Sequence, residues 1–319
     1  MFYDNKLKCF TMNKKVFFSL ISRPEINFLV TWIGTRCTLR CKRCCNQIPF
    51  LAKRSFDIEE TIADLDFIRS LSTVKKLQVQ GGEPLTHPRF DIMLKYLLVH
   101  PEQRADIATN GTLKFSEKAL ALAKEHAKSF EKAGHLRIRI SNYAIENIKH
   151  PLAIQLSENG IHCNSYEFMF GNGQWFDTGN PLCTRSSYES CVQNYLKCPN
   201  KDCVTLVDGV IYVCGKVAAV RELHVDAEKV PKNYSKKSFP RGLQINVRKI
   251  RTSRWLKFLG LRKLVGRYCI NRFNSLVEEA RPECAFCRIN SNLYPAAEQI
   301  SSMEINSVIK KVNHQNINK

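Results

Sequence analysis

The chain has 319 residues, 44% of them hydrophobic and 24% charged, proportions that exclude a disordered or fibrous polymer and allow a large buried core. No stretch of eighteen uncharged apolar residues occurs, so no membrane-spanning helix is predicted, and the apolar run from Val16 to Ile21 is too short for a secretory segment. The formal charge of +20 is uneven, because Lys229 to Phe273 holds fourteen Lys and Arg and no Asp or Glu.

A cytoplasmic location is the expectation, and there fourteen cysteines indicate metal or catalysis more than disulfides. The basic block suits an acidic partner (nucleic acid, anionic lipid or a phosphorylated substrate) or is a solvated face.

Residues 1–25 are expected to be an extension too short for an added recognition domain. A first strand is predicted from Ile26 to Ile33, where the run is apolar and β-branched. The helix that follows has Asp57 and Glu60 spaced as a capping box and apolar residues at Ile58, Ile62, Leu65, Ile68 and Leu71. "KLQVQ" (Lys76 to Gln80) is a strand, "RFDIMLKYLLV" a helix, and Ala105 to Thr109 a strand stopped by Asn110-Gly111. Ser116 to Phe130 is a helix capped by Ser116, "LRIRIS" an alternating strand, "HPLAIQLSENG" a helix closed by Gly160, and "IHCNSYEF" a fifth strand. Five strands and four helices imply parallel βαβ units, whose ligands sit in the loops after the strands. Beyond Phe168 the chain turns glycine- and cysteine-rich, and a smaller domain is expected from residue 181 to 319, after a core of residues 26–180.

The loop after the first strand reads "GTRCTLRCKRCCNQIPFL", with Cys37, Cys41 and Cys44 as C-x3-C-x2-C. A closed zinc site wants four ligands; three thiolates suit a [4Fe–4S] cluster with one iron left open. Arg36, Arg40, Lys42 and Arg43 are expected to lower the thiol pKa values and offset an anionic cluster, and Cys45 is expected to be a packed bystander. The next loop, "QVQGGEPL", places Gly81 and Gly82 where missing β-carbons allow a ligand to approach, with Glu83 available to a charged amino group. The third loop holds Thr109, Asn110 and Gly111.

These three motifs, in order on successive loops, resemble the radical SAM superfamily. The resemblance, covering Ile26 to Phe168, implies an α/β partial barrel of about five or six parallel strands. It also implies a [4Fe–4S] cluster on Cys37, Cys41 and Cys44, S-adenosylmethionine as cofactor, and a one-electron reductant such as flavodoxin or ferredoxin. Gly81, Gly82 and Glu83 would face the methionine end, with Thr109 and Asn110 on the same rim, and Ser141 and Asn142 would face the ribose or carboxylate. Where the family usually has an aromatic residue, Arg43 stands, to stack on adenine or to face solvent. No residue is assigned a catalytic role.

Later, Cys198 and Cys214 flank the hairpin turn at Gly209, and "CAFC" adds Cys284 and Cys287. Four thiolates suit a zinc ribbon or a second cluster, and Cys203 is an alternative to Cys198. The arrangement resembles the SPASM/twitch auxiliary-cluster domains of that superfamily, here as a small Cys-rich α+β domain with one further [4Fe–4S] cluster. Cys9, Cys163 and Cys269 read as fillers. "NGQWFDTGN" offers Trp175, Phe176 and Asp177 to a sugar ring or to a packed junction.

The segment Thr252 to Phe273 reads as a basic amphipathic helix suited to an anionic membrane surface, which would make the protein peripheral to a membrane. The function expected is oxidation or modification of a carbohydrate-like or other small substrate. The alternatives are peptide maturation and, in another class, a nucleic-acid-binding protein with structural zinc; nucleic acid is the less favoured partner.

Overall fold

The computed structural model describes residues 22–143, 150–167, 174–179, 188–198, 200–223, 244–277, 284, 287 and 293–317. The predicted alternation folds as β1 (Glu25–Ile26), β2 (Phe28–Trp32), α1 (Ile58–Leu71), β3 (Thr73–Val74), β4 (Lys76–Gln80), α2 (Phe90–Leu98), β5 (Arg104–Thr109), α3 (Glu117–Glu125), β6 (Leu136–Asn142), α4 (Pro151–Glu158) and β7 (Asn164–Glu167). Strands β2, β4, β5, β6 and β7 lie side by side in chain order, every pair parallel. Right-handed crossovers between such neighbours put all four helices on one face of the sheet.

That face is apolar. Leu77, Val79, Ile107 and Ile138 are buried in one core with Leu65, Ile68, Met93, Leu94 and Ala119. Because successive side chains alternate across a strand, Gln78, Gln80, Asp106, Arg137, Arg139 and Ser141 point to the other side, away from the helices. Asp106 stands opposite Gln78 on β4 and Arg137 on β6.

The helix starts follow their caps: Asp57 accepts from the Glu60 amide at 2.9 Å and Ser116 from the Ala119 amide at 3.2 Å. The Glu60 carboxylate is drawn to Arg248 and Arg251. The helix expected through Phe130 stops at Glu125, and a tighter 3-10 turn from Ala127 to Phe130 carries Phe130 into the core.

Later strands join the same sheet. After β8 (Gln174–Phe176) and α5 (Tyr188–Leu196), β9 (Cys203–Val207) pairs with β2 in parallel, giving six parallel strands. All five residues of β9 are buried, so both its edges need a partner. β10 (Val210–Tyr212) supplies the second edge through a tight hairpin in which Asp208 and Gly209 adopt φ of 44° and 81°. There follow α6 (Gly215–Glu222), β11 (Gln244–Asn246), which extends the sheet to eight strands, α7 (Val247–Thr252), α8 (Arg254–Phe258) and α9 (Arg262–Val277). Last come β12 (Leu293–Pro295), antiparallel to β8 in a separate ribbon, and α10 (Ser302–Ile317). Among the described residues no helix is long and apolar enough to cross a membrane.

Two buried carboxylates organise the charge. Asp64 on α1 receives Arg248 and Arg251 at 2.9 and 2.8 Å, which docks α7. Asp106 receives Lys76, Arg137 and Arg139 at 2.8, 2.9 and 3.0 Å, tying β4, β5 and β6 together on their polar face. Burial pushes the Asp106 carboxyl up, but its bonds to Lys76 and Arg137 and the nearby Arg139 outweigh this and hold it below the usual range. Its stabilisation is therefore present at neutral pH and fades only as pH falls below the ordinary carboxylate range. Asp106→Asn would leave three partly buried cations without a counter-charge and should cost about 2–4 kcal/mol, read as a lowered urea midpoint at pH 7. Equal midpoints for the variant and the parent would contradict this role.

Candidate functional site

The loop between β2 and α1 is folded back on itself. The Thr35 amide donates to the Arg54 carbonyl at 2.8 Å, and Gly34 bridges Ser55. Within it, the Cys44 amide donates to the Cys41 carbonyl at 3.1 Å, and the Gln47 amide to the Cys44 carbonyl at 2.9 Å. Cys41 is buried, while Cys37 and Cys44 are half-buried. Burial, reinforced by the neighbouring thiols, pushes Cys37 up to about 12 and Cys41 higher still; burial and Cys45 push Cys44 up to about 12. N–H donors approach the sulfurs: the Leu39 amide at 3.4 Å and Asn110 Nδ2 at 3.7 Å on Cys37, and Gln299 Nε2 at 3.8 Å on Cys41.

The expectation that the interleaved bases lower these pKa values is corrected. Arg40 donates to Ser302 Oγ at 2.7 Å, Lys42 lies 3.3 Å from Glu304, and Arg43 pairs with Glu298. These three bases are turned to the C-terminal segment, and desolvation dominates at the sulfurs. Arg43 does not face open solvent: its guanidinium lies 3.9 Å over the Tyr294 ring, with its side chain 14% exposed.

The glycine turn after β4 packs against this loop. Gly81 has φ of 147°, and a β-carbon there would run into the Gly34 carbonyl oxygen; one on Gly82 would meet the Arg36 carbonyl and Cys37. Thus the close approach that the two glycines permit includes the backbone of the cysteine loop itself. The Gly82 amide donates to Gly34 at 3.0 Å and the Glu83 amide to Arg36 at 2.7 Å. The Glu83 side chain is buried and accepts from Thr109 Oγ1 at 2.7 Å, the Asn110 amide at 2.7 Å and the Leu85 amide at 3.1 Å. Burial pushes its carboxyl up to about 7 against those three donors. Glu83 therefore joins the second loop to the third. Asn110 continues the chain of contacts to Thr38 at 2.9 Å.

Ser141 is half-buried and hydrogen-bonded to Tyr143, whereas the Asn142 side chain lies outside the described residues. Tyr143, which the sequence motifs do not single out, is buried beside Cys41 and stacks edge-on against Trp175 at 5.5 Å. Trp175 thus packs a junction, and Asp177 caps its own turn by accepting from the Gly179 amide at 2.7 Å. The Phe176 side chain lies outside the described residues. Residues 296–300 cross the cysteine loop: Lys42 and Ile300 amides donate to Glu298 and Arg40 carbonyls at 2.7 and 2.8 Å. A solvent-open cavity of about 190 Å³ lies between Cys37, Arg40, Lys53 and the start of α10.

A second thiol group lies by the start of β9 and the start of α6. Cys214 is half-buried; desolvation, followed by Cys287, Cys284 and Cys198, pushes its thiol up. Cys203 sits at the start of β9, donates to the Asn200 carbonyl at 3.2 Å, and neighbours Cys198 and Cys45. Cys163 and Cys269 pack against the core, while Cys9 and Cys183 lie outside the described residues. Among the described residues no three His, Cys, Asp or Glu side chains converge to hold a single ion. The donor chemistry is what fits a cluster: buried thiols that keep their protons alone would lose them to cationic iron.

Since Gly82 touches the cysteine loop, Gly82→Ala should displace it. The variant is expected to retain less iron after anaerobic reconstitution and to lose about 1–3 kcal/mol of stability. Gly160→Ala, where a β-carbon meets nothing within 4 Å, is the control for backbone strain alone and should keep its iron.

Part of the chain is similar to known proteins. The pattern of the Radical SAM superfamily matches residues 33–148, which span the cysteine loop, the glycine turn and the Thr109-Asn110 loop. The GTP 3',8-cyclase of Campylobacter lari is 30% identical over 138 residues, 43% of this chain and 39% of that protein. The GTP 3',8-cyclase of Nautilia profundicola is 24% identical over 140 residues, 43% and 40% of the two chains. The chain thus spans about two fifths of the length of these relatives. Among solved structures, Streptococcus suis SuiB bound to S-adenosylmethionine is 16% identical, covering 50% of this chain and 39% of that one with a TM-score of 0.35. SuiB bound to precursor peptide SuiA is likewise 16% identical, covering 51% and 40% with a TM-score of 0.35. The thiol loop and its two supporting loops all lie in the matched region, so residues 33–148 are similar to the radical SAM superfamily.

Proposed function

We propose that the protein is a radical SAM enzyme that oxidises or modifies a small polar, carbohydrate-like substrate, and that it carries an auxiliary cluster on the second thiol group. The observation that carries the first part is the burial of Cys37, Cys41 and Cys44 in one loop, where their thiols are pushed up and N–H donors approach Cys37 and Cys41. Cys37, Cys41 and Cys44 would hold a [4Fe–4S] cluster, which with S-adenosylmethionine would supply one-electron reduction and hydrogen-abstraction chemistry.

The chain's own residues orient and shield. Asn110 and Gln299 direct N–H groups at the sulfurs, which favours electron-rich thiolates over thiols. Glu83 holds the second and third loops in register, so the rim keeps its shape when a ligand enters. Polar groups on the sheet face opposite the helices, including Gln80, Arg139 and Ser141, suit hydroxyl and anionic groups of a substrate. Charge on Cys198, Cys284 and Cys287 raises the Cys214 thiol, which supports Cys198 over Cys203 in the auxiliary set.

Anaerobically reconstituted and reduced protein should convert S-adenosylmethionine to 5'-deoxyadenosine. Replacing Cys37, Cys41 and Cys44 together by Ala should abolish the product, whereas Cys45→Ala should keep it. Persistence in the triple variant would refute the assignment. Iron should measure about eight per chain and fall to about four in Cys214→Ala, with 5'-deoxyadenosine still formed. A wild-type value of about four would remove the auxiliary cluster alone.

A further inference from the structure

Among the described residues, nine large hydrophobic side chains are exposed, and five lie between Trp255 and Leu264. Trp255 is 76% exposed, Phe258 84% and Leu259 53%, while Leu261 and Leu264 are each 37% exposed. They sit on α8, on the turn after it and on the first turn of α9, and Gly260 allows that turn with φ of 67°. The turn is held at both roots. Arg248 and Arg251 fix α7 to Asp64, and Ile270 and Phe273 bury α9 in the core. The apolar side chains thus face outward on an anchored projection. Arg254, Lys257 and Lys263 are exposed among them, and no Asp or Glu occurs from Val247 to Val277.

We infer that residues 254–264 are a docking tip for the surface of an anionic lipid bilayer. The charge pattern selects this occupant. A second copy would bring like-charged tips together. A nucleic acid would neutralise the cations but leave Leu259, Leu261 and Leu264 in water, since aliphatic side chains offer bases no stacking surface. An anionic bilayer meets both demands: headgroup phosphates take the cations, the acyl boundary takes the apolar side chains, and an indole favours the interface. Among the described residues no helix can span a membrane, so the tip lies on the surface.

The test uses the full chain with vesicles of phosphatidylcholine, alone or mixed with phosphatidylglycerol. Of the three tryptophans, Trp32 is fully buried and Trp175 packs on Tyr143, so Trp255 dominates any change in emission. Anionic vesicles at low salt should blue-shift the emission and co-sediment the protein; neutral vesicles should not. Lys257→Gln with Lys263→Gln should weaken partitioning roughly thirtyfold. Phe258→Ser with Leu259→Ser should remove the blue shift while the circular dichroism stays unchanged, because both side chains are exposed. No partitioning to anionic vesicles, equal partitioning to neutral ones, or indifference to the serine pair would overturn the proposal. So would a blue shift caused by protein concentration alone, which indicates a second copy, or an equal shift caused by single-stranded RNA.

Discussion

Three thiols held out of water within one short loop repel one another once deprotonated, and each ionisation is opposed by the loss of hydration. Burial pushes Cys37, Cys41 and Cys44 up, and the same burial excludes the nearby bases as a remedy, because Arg40, Lys42 and Arg43 are engaged elsewhere. A loop under that constraint keeps its geometry only if rigid neighbours hold it. Here the support comes from three directions: the glycine turn bonds its backbone, Asn110 reaches Thr38, and the strand-like crossing of residues 296–300 closes the outer side. Remote parts of the chain have their positions explained by this requirement.

The sheet serves the same end by a division of faces. One face is given wholly to aliphatic packing against α1 to α4, which fixes the strand ends and so the loops. The opposite face carries charge, which is costly on a buried surface unless paired. Asp106 meets that cost by gathering Lys76, Arg137 and Arg139, so polar residues can line a working face without splaying the strands. A substrate placed there would meet preorganised polar groups rather than mobile ones.

The strands and helices from Ile26 to Glu167 were legible because the hydrophobic period is short-range, and caps such as Asp57 and Ser116 mark their own starts. The cysteine, Gly81-Gly82 and Thr109-Asn110 motifs were legible for the same local reason. What escaped the sequence depends on long-range pairing. Nothing in "CVTLV" announces a partner some 170 residues earlier, yet β9 completes the edge of β2. Glu298 and Gln299 reach the cysteine loop from about 255 residues away and belong to no motif. Glu83 was read as a partner for a ligand amine; three donors from within the rim already occupy it, which only the folded arrangement reveals.

Arg43 shows how these long-range pieces act together. Its guanidinium is clasped between Tyr294 and Glu298, and Tyr294 belongs to β12, which pairs with β8. β8 carries Trp175, which stacks on Tyr143 at the end of β6, and Tyr143 in turn packs against Cys41. The contacts form a closed circuit from the cysteine loop through the C-terminal ribbon and back to the sheet. Cys287 precedes Leu293 by six residues, so the chain between them spans at most about 20 Å. The second thiol group is tethered to the circuit that positions the first. A displacement of β12 would therefore act on Arg43 and Trp175 together, while β9 to β11 extend the same sheet as β2 to β7.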